Sequence, residues 1–333
     1  MSNLEVVGLG ALNMDYIRQI ERLAGDSEIA ERTPGHGYPD SELKLLDTCP
    51  GGSAANTIYG LAKLGVNTGF IGAVGDDADG KTLLKDFQTV GVDISQIKVK
   101  PKAKTGLARC LSDKLNFRSI SITSGANSLL TADDINLDYI NQAAILHISS
   151  FVDDAQLEVL LKLITNLDSS VKVSFSPGEL YAAKRLKTLS LILARTHILF
   201  INESEIKQLT GEDFISGADR CLGLGCHIVV VTLGQGTSYK TRMATSYIRT
   251  AKSVDVVEPS DKSIISTVDT IGAGDAFATG FLYGFIQGQG LKECGYLGSI
   301  VAQFSIQKIG ARQGLPALGE LSQRYRELYG REL

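Results

Sequence analysis

Between residues 132 and 232 the chain repeats one pattern four times, a helix-like stretch followed by a short apolar run. Residues 132–140 lead to 145–148, 154–167 to 171–174, 181–194 to 198–201, and 214–224 to 228–232. Strands joined through helices return as parallel neighbours, and strands buried on both faces read as continuous apolar runs. Four such units predict an α/β protein with a mostly parallel central sheet and helices on both faces. In a sheet of that kind, ligands bind beyond the carboxyl ends of the strands.

The first third of the chain fits this sheet only in part. Residues 4–10 and 69–74 are apolar strands of the same sort, and 53–64 and 79–90 read as helices. Segments 15–21, 44–49, 105–112 and 117–123 instead alternate polar and apolar residues, as a sheet with one solvated face does. The last two form a hairpin around Asp113-Lys114, and residues 33–39 are a loop dense in Pro and Gly. The expectation is a single domain over residues 1–333 carrying a small β-sheet lid, its strands inserted within about 15–49 and 105–123.

Composition narrows the function. A chain of 333 residues, 44% hydrophobic and 21% charged, suits a soluble globular protein. A net charge of −4 and a pI near 5.7 argue against a nucleic-acid partner. The cysteines (49, 110, 221, 226 and 294) are odd in number and lack CxxC spacing, which points to free thiols and no structural zinc. With no basic leader and no apolar run of membrane-spanning length, the expected location is cytoplasmic, with no membrane partner.

The chemistry concentrates in Val268-Asp269-Thr270-Ile271-Gly272-Ala273-Gly274-Asp275-Ala276-Phe277. Residues 264–268 read as a strand and the run after Asp275 as an apolar helix. The bare Gly272-Ala273-Gly274 backbone is therefore placed at a helix N-terminus, where free N–H groups favour an anion such as phosphate. A carboxylate beside a phosphate cradle needs a task, and taking a proton from an attacking hydroxyl supplies one for Asp275. Ordinary dipole compensation by a first-turn Asp is the competing reading.

Two other phosphate motifs fail on context. Gly75-Asp76-Asp77-Ala78-Asp79-Gly80-Lys81-Thr82 fits GxxxxGK[ST], yet three of its four variable positions are Asp, which opposes anion binding. Gly8-Leu9-Gly10-Ala11-Leu12-Asn13 nearly fits GxGxxG, but Met14-Asp15-Tyr16-Ile17 next to it looks like a strand, so a dehydrogenase reading falls away. Other candidates lie at predicted ligand edges. Asn202 and Glu205 come after strand 198–201 and could hold Mg²⁺ through waters, or could simply begin a helix. Thr232-Leu233-Gly234-Gln235-Gly236 ends strand 228–232 and allows close approach of a nucleotide, or is a plain turn. Gly51, Gly52 and Asn56 precede or open a helix with Ser53 as its N-cap, and Asn13 and Asp15 could bond hydroxyls or make an Asx turn.

Taken together, these motifs resemble the ribokinase-like, or phosphofructokinase-B, family of sugar and nucleoside kinases, over the chain from Asn13 to Arg312. Asp269-Thr270-Ile271-Gly272-Ala273-Gly274-Asp275 is similar to the second family signature and Gly51-Gly52-Ser53-Ala54-Ala55-Asn56 to the first. Asn202-Glu203-Ser204-Glu205 resembles the NxxE motif and Thr232-Leu233-Gly234 the nucleotide-side turn. The resemblance implies transfer of the γ-phosphoryl of Mg-ATP to a hydroxyl of a sugar. The alternatives are an adenosine-type nucleoside and a non-catalytic ligand-binding member. It implies Asp275 as general base and an anion hole at Gly272, Ala273 and Gly274. It places ATP at Thr232, Gly234 and Thr270, and assigns Asn202 and Glu205 to Mg²⁺ and its waters. The acceptor falls to Asn13, Asp15, Gly51, Gly52 and Asn56. A monovalent cation such as K⁺ would take Asp269 and the carbonyls of Ile271 and Gly310. The chain departs from the family at Ser299, where Asn or His is common, and at Gly314, where some members carry Ser. A homodimer formed through the lid is the implied assembly.

Overall fold

The computed structural model describes residues 4–20, 43–113, 118–259 and 267–333. The loop expected at 33–39, the hairpin tip after Asp113 and residues 264–266 of the strand expected at 264–268 lie outside them. In chain order the strands are β1 Val6–Leu9, β2 Asn13–Ile20, β3 Lys44–Gly51, β4 Thr68–Gly75, β5 Asp93–Lys100, β6 Gly106–Asp113, β7 Arg118–Thr123, β8 Ile145–Ser149, β9 Lys172–Ser176, β10 Thr196–Asn202, β11 Ile228–Tyr239, β12 Arg242–Thr250 and β13 Val254–Val257. The helices are α1 Ser53–Lys63, α2 Ala78–Thr89, α3 Leu137–Ile140, α4 Asp154–Asn166, α5 Gly178–Ala182, α6 Arg185–Arg195, α7 Glu203–Thr210, α8 Phe214–Gly223, α9 Ala273–Ile286, α10 Leu291–Ser305 and α11 Leu318–Tyr329.

Nine strands form the large sheet, in the order β13-β12-β11-β10-β9-β8-β1-β4-β5. All neighbours from β11 to β5 pair parallel, and only β12 runs against its neighbours. Its strands alternate apolar side chains between two cores, as a period of two requires. In β11, Val229 and Val231 join the core under α4, α6, α7 and α8, while Ile228 and Val230 join the one under α1, α2, α9, α10 and α11. Chain order runs from β1 outward through β4 to β5, then restarts on the other side of β1 at β8. That reversal opens a crevice past the carboxyl ends of β1 and β8. The N-terminus of α1 is anchored over it, with the Ala54 N–H donating to Ser149 Oγ at 3.1 Å.

The smaller sheet has the order β3-β2-β6-β7, built from the four alternating segments of the first third. β6 and β7 are the expected antiparallel pair, whereas β2 and β6 pair parallel. One face of this sheet, through Ile17, Cys49, Ala108 and Cys110, packs on Ile271 and Ile309. Those two residues belong to the segments that carry the glycine turn and Gly310, so the smaller sheet leans directly on the turn.

Several sequence expectations need correction. The helix expected at 132–140 is a 3-10 turn, Ala132–Asp134, and a separate short α3, because Asn136 leaves the helical region and caps Tyr139 N at 3.1 Å. The helix expected at 181–194 divides into α5 and α6, where Arg185 takes φ 66°. Strand 228–232 does not end at Thr232. β11 continues to Tyr239, and between Thr232 and Thr237 it advances five residues while β12 advances two, so Leu233–Gly236 is a bulge, not a terminal turn. Thr267 and Val268 are not strand, and the N–H groups of Val268 and Asp269 both donate to the Ile306 carbonyl (2.8 and 3.2 Å). All five cysteines are buried free thiols. No helix among the described residues is long and apolar enough to cross a membrane.

Candidate active site

The site begins with one backbone conformation. Gly272 caps α9 at φ 74°, ψ 5°, and a Cβ there would fall 2.4 Å from Ala311 Cβ. Only glycine takes this left-handed turn against that neighbour without strain. The turn aims the first N–H groups of α9 outward. Among the described residues, the N–H groups of Gly272 and Gly274 have no protein acceptor, while Ala273 N closes on the Thr270 carbonyl at 3.2 Å. Gly274 is exposed, and a Cβ on it would meet open space. An unobstructed helix N-terminus of this kind accepts an anion. Thr270 is exposed beside it.

Asp275 stands in the first turn of α9, gripped from α1. Ser53 Oγ donates to its Oδ1 at 2.7 Å and Asn56 Nδ2 to its Oδ2 at 2.9 Å. Burial pushes its carboxyl up to about 6, against the lowering effect of the Asn56 and Ser53 donors and of Arg312. Helices α1 and α9 can approach this closely because Gly60 faces Thr279, leaving 2.7 Å for a hypothetical Cβ, and Thr279 Oγ1 donates to the Asp275 carbonyl at 2.9 Å. Ser53 is therefore not the N-cap expected from sequence. Gly52 occupies that position, its carbonyl accepting from Asn56 N at 2.8 Å, and the Ser53 hydroxyl is turned to Asp275.

Asn13 and Asp15 lie two apart at the start of β2, both buried. Asn127 fixes the first: its Nδ2 donates to Asn13 Oδ1 at 2.9 Å and its Oδ1 accepts from Leu12 N at 2.9 Å. Asp15 is 6% exposed, and its Oδ1 has no hydrogen-bond partner. Gly51 lies against this carboxyl, so that a Cβ would come within 2.1 Å of Oδ2. Desolvation raises Asp15 to about 7, Arg312 opposes the rise and the Asp275 charge adds to it. A buried carboxylate with an unmet oxygen is costly, and such sites are where a ligand's donors are received.

On the other side of the turn, Asn202 and Thr232 are direct neighbours across the β10–β11 ladder. Asn202 and Glu205 form a capping box on α7: Glu205 N donates to Asn202 Oδ1 at 2.8 Å and Asn202 N to Glu205 Oε2 at 3.1 Å. Burial raises the Glu205 carboxyl, and the charges of Asp275 and Glu179 raise it further. That negative field suits a cation. Yet no group of three or more His, Cys, Asp or Glu side chains comes together as a metal cage among the described residues. The donor set therefore fits Mg²⁺ held through water and a ligand's phosphates, the usual mode for that ion. Asp269 accepts from Ile271 N at 3.0 Å and from Gly310 N at 2.9 Å, which joins the two segments whose carbonyls sequence reasoning assigned to a monovalent cation.

The GxxxxGK[ST] loop is filled by its own acid. Asp77 caps α2, accepting from Gly80 N at 2.9 Å and from Thr105 N at 2.9 Å and Oγ1 at 2.5 Å. Lys81 sits outside, 3.7 Å from Asp76. The GxGxxG-like stretch runs from β1 into β2 with no helix after it.

Sequence reasoning gave no role to Arg312. It is 5% exposed and reaches Asn56, Gly51 and Asp86. Its one signal was a lone charge in the apolar, glycine-rich run 309–316, where a buried arginine has to find acceptors.

The pfkB family carbohydrate kinase model matches residues 5–318. A protein from Archaeoglobus fulgidus called an uncharacterized sugar kinase is 36% identical over 260 residues, covering 77% of this chain and 98% of its own. Among solved structures, a probable sugar kinase from Rhizobium etli superposes with a TM-score of 0.83 at 24% identity, covering 97% of this chain and 99% of its own. Adenosine kinase from Sinorhizobium meliloti superposes with a TM-score of 0.82 at 23% identity, covering 97% of this chain and 99% of its own. On the family match across nearly its whole length, this chain belongs to the pfkB family of carbohydrate kinases, the ribokinase-like group that its motifs resemble.

Proposed function

We propose that the chain transfers the γ-phosphoryl of ATP to a hydroxyl of a sugar, with Asp275 as the general base. The observation that carries this is the pairing of an open, bare helix N-terminus at Gly272-Ala273-Gly274 with a carboxylate one residue further on, held at both oxygens by Ser53 and Asn56. Phosphoryl transfer asks mainly for positioning and neutralisation of charge. Asp275, raised to about 6, is basic enough to take a hydroxyl proton and largely ionised at neutral pH, the compromise a general base needs. The N–H groups of Gly272 and Gly274 receive the phosphoryl oxygens, with that of Ala273 once it leaves Thr270. Asn202 and Glu205 would hold Mg²⁺ through water, and the ion supplies charge neutralisation at the phosphates. Thr232, Gly234 and Thr270 border the nucleotide. Asp269 with the Ile271 and Gly310 carbonyls would hold a monovalent cation under the turn.

In this reading the acceptor lies between the two sheets. Asn13, Asp15, Gly51 and Gly52 line its side, and the unmet Asp15 oxygen takes one of its hydroxyls. The smaller sheet acts as the lid of a single kinase unit and keeps water from the phosphoryl group. Nucleosides are the second acceptor class, because adenosine kinase superposes as well as the sugar kinase does.

The test is ADP formation from ATP over a panel of sugars and nucleosides, with Asp275→Asn beside the wild type. At least one sugar should stimulate ADP release. Asp275→Asn should lower turnover by about 10²–10⁴-fold with ATP binding kept. Retention of more than about a tenth of turnover in that variant would remove Asp275 from the base role, and stimulation by nucleosides alone would move the acceptor class.

A further inference from the structure

Arg312 is the most heavily engaged side chain near the site, yet the proposed reaction gives it no direct task. Its guanidinium joins three segments far apart in sequence. Nε donates to Asn56 Oδ1 on α1 at 2.9 Å, Nη2 to the Gly51 carbonyl at the end of β3 at 3.0 Å, and Nη1 to Asp86 Oδ2 on α2 at 2.6 Å. The rings of Tyr59 and Phe87 lie 5.2 and 5.1 Å from its central carbon and hold the plane in place.

The bond to Asn56 matters because of what lies on the other side of that amide. A guanidinium has donors and no acceptor, and a carboxylate has acceptors and no donor. An amide set between them has one satisfactory orientation, with Oδ1 towards Arg312 and Nδ2 towards Asp275, as found. We propose that Arg312 is a positioning residue for Asp275: it locks the Asn56 amide so that a donor, never a lone pair, faces the carboxylate. Without the guanidinium the amide can turn over and present Oδ1 to Asp275 Oδ2, acceptor against acceptor. The surrounding charges work in the same direction. Facing Asp275 are Asp15 from β2 and Glu205 from α7, both of which oppose its ionised form, and the neutral donors Ser53 and Asn56 from α1. Arg312 is the cation set against those two acids.

This rests on the reading of Asp275 as base, and the experiment separates the two. The full-length chain is labelled with 13Cγ-aspartate and titrated by NMR, and the Asp275 resonance is identified by its loss in Asp275→Asn. In Arg312→Met the Asp275 midpoint should rise by about one pH unit or more. Turnover near neutral pH on the acceptor found in the panel should fall roughly tenfold to a hundredfold, the worth of a hydrogen bond to a charged group, and should partly recover at alkaline pH. Asp86→Asn keeps Arg312 on Asn56 and should not raise the midpoint. A rise there equal to that of Arg312→Met would show that packing, not orientation, is at stake, and would overturn the proposal. So would an unmoved midpoint in folded Arg312→Met. If Arg312→Met does not fold, Arg312→Lys keeps a cation without the fixed fork. It should lower turnover with a smaller rise in the midpoint, and wild-type values for both would again overturn the proposal. Full turnover in Asp275→Asn would remove the base assignment alone, since the NMR midpoint reports the grip of Arg312 whatever the turnover.

Discussion

Asp15→Asn should make the protein more stable and a poorer enzyme, and the gain should depend on pH. In the folded chain Asp15 is 6% exposed, has an unpartnered Oδ1 and is raised from 3.8 to about 7. A carboxyl raised on folding leaves the folded state fully favoured below the unfolded value near 4, and that advantage is lost as pH rises through the folded value near 7. At pH 8 the native state therefore carries the whole cost of a buried charge. A shift of about three units sets that cost at no more than about 4 kcal/mol. Asn has the same shape and no charge, so it removes the cost. Denaturant midpoints for wild type and Asp15→Asn should nearly coincide at pH 4.5, after which the variant should gain progressively up to pH 8. On the proposed function the same change weakens acceptor binding, so the acceptor KM rises strongly while the ATP KM holds. Stability given up at a ligand-facing acid is a common trade in enzymes. A stability difference that does not change with pH would refute the electrostatic reasoning. A fall in ATP affinity with unchanged acceptor affinity would put Asp15 on the nucleotide side and reverse the orientation of the two substrates.

Two further outcomes are expected. Lys81→Ala should leave the ATP KM within about twofold, because exposed ion pairs such as Lys81–Asp76 contribute little and Asp77 already fills the cradle of that loop; a large loss of ATP affinity in a folded variant would move the nucleotide to α2. Glu205→Gln should shift the Mg²⁺ dependence of turnover to higher concentration more than it shifts the acceptor KM, since the negative field around Glu205 is what a cation would relieve; a magnesium titration that matches wild type would take Asn202 and Glu205 out of the metal site.

The large sheet was legible because its strands are buried on both faces and write themselves as apolar runs between helices. Val229 and Val231 point to one core and Ile228 and Val230 to the other, so the whole run is apolar. What escaped was structure without that signature. β5 (Asp-Ile-Ser-Gln-Ile-Lys-Val-Lys) is an edge strand with polar residues throughout, and β12 and β13 close the opposite edge. The bulge in β11 looked like a chain turn because two glycines occur in both. The pairing of β12 past Thr237 keeps the strand going, and that pairing is a tertiary fact.

The site divides along the same line. Gly272 and Asp275 were readable because a helix start, a bare backbone and an acid lie within four residues. Ser53 was misread because the local rule for a serine at a helix start is a cap, and only the approach of α9, 222 residues away, turns its hydroxyl to Asp275. Arg312 could not be assigned at all, since its three acceptors lie in segments more than 200 residues upstream. In the folded chain these long-range contacts converge on one carboxylate. Ser53 meets one oxygen and Asn56 the other, with Arg312 behind Asn56. A motif can supply an acid beside an anion cradle, but aiming that acid takes donors from the far end of the chain, and these become visible only once α1, α9 and the Gly310–Arg312 segment pack together.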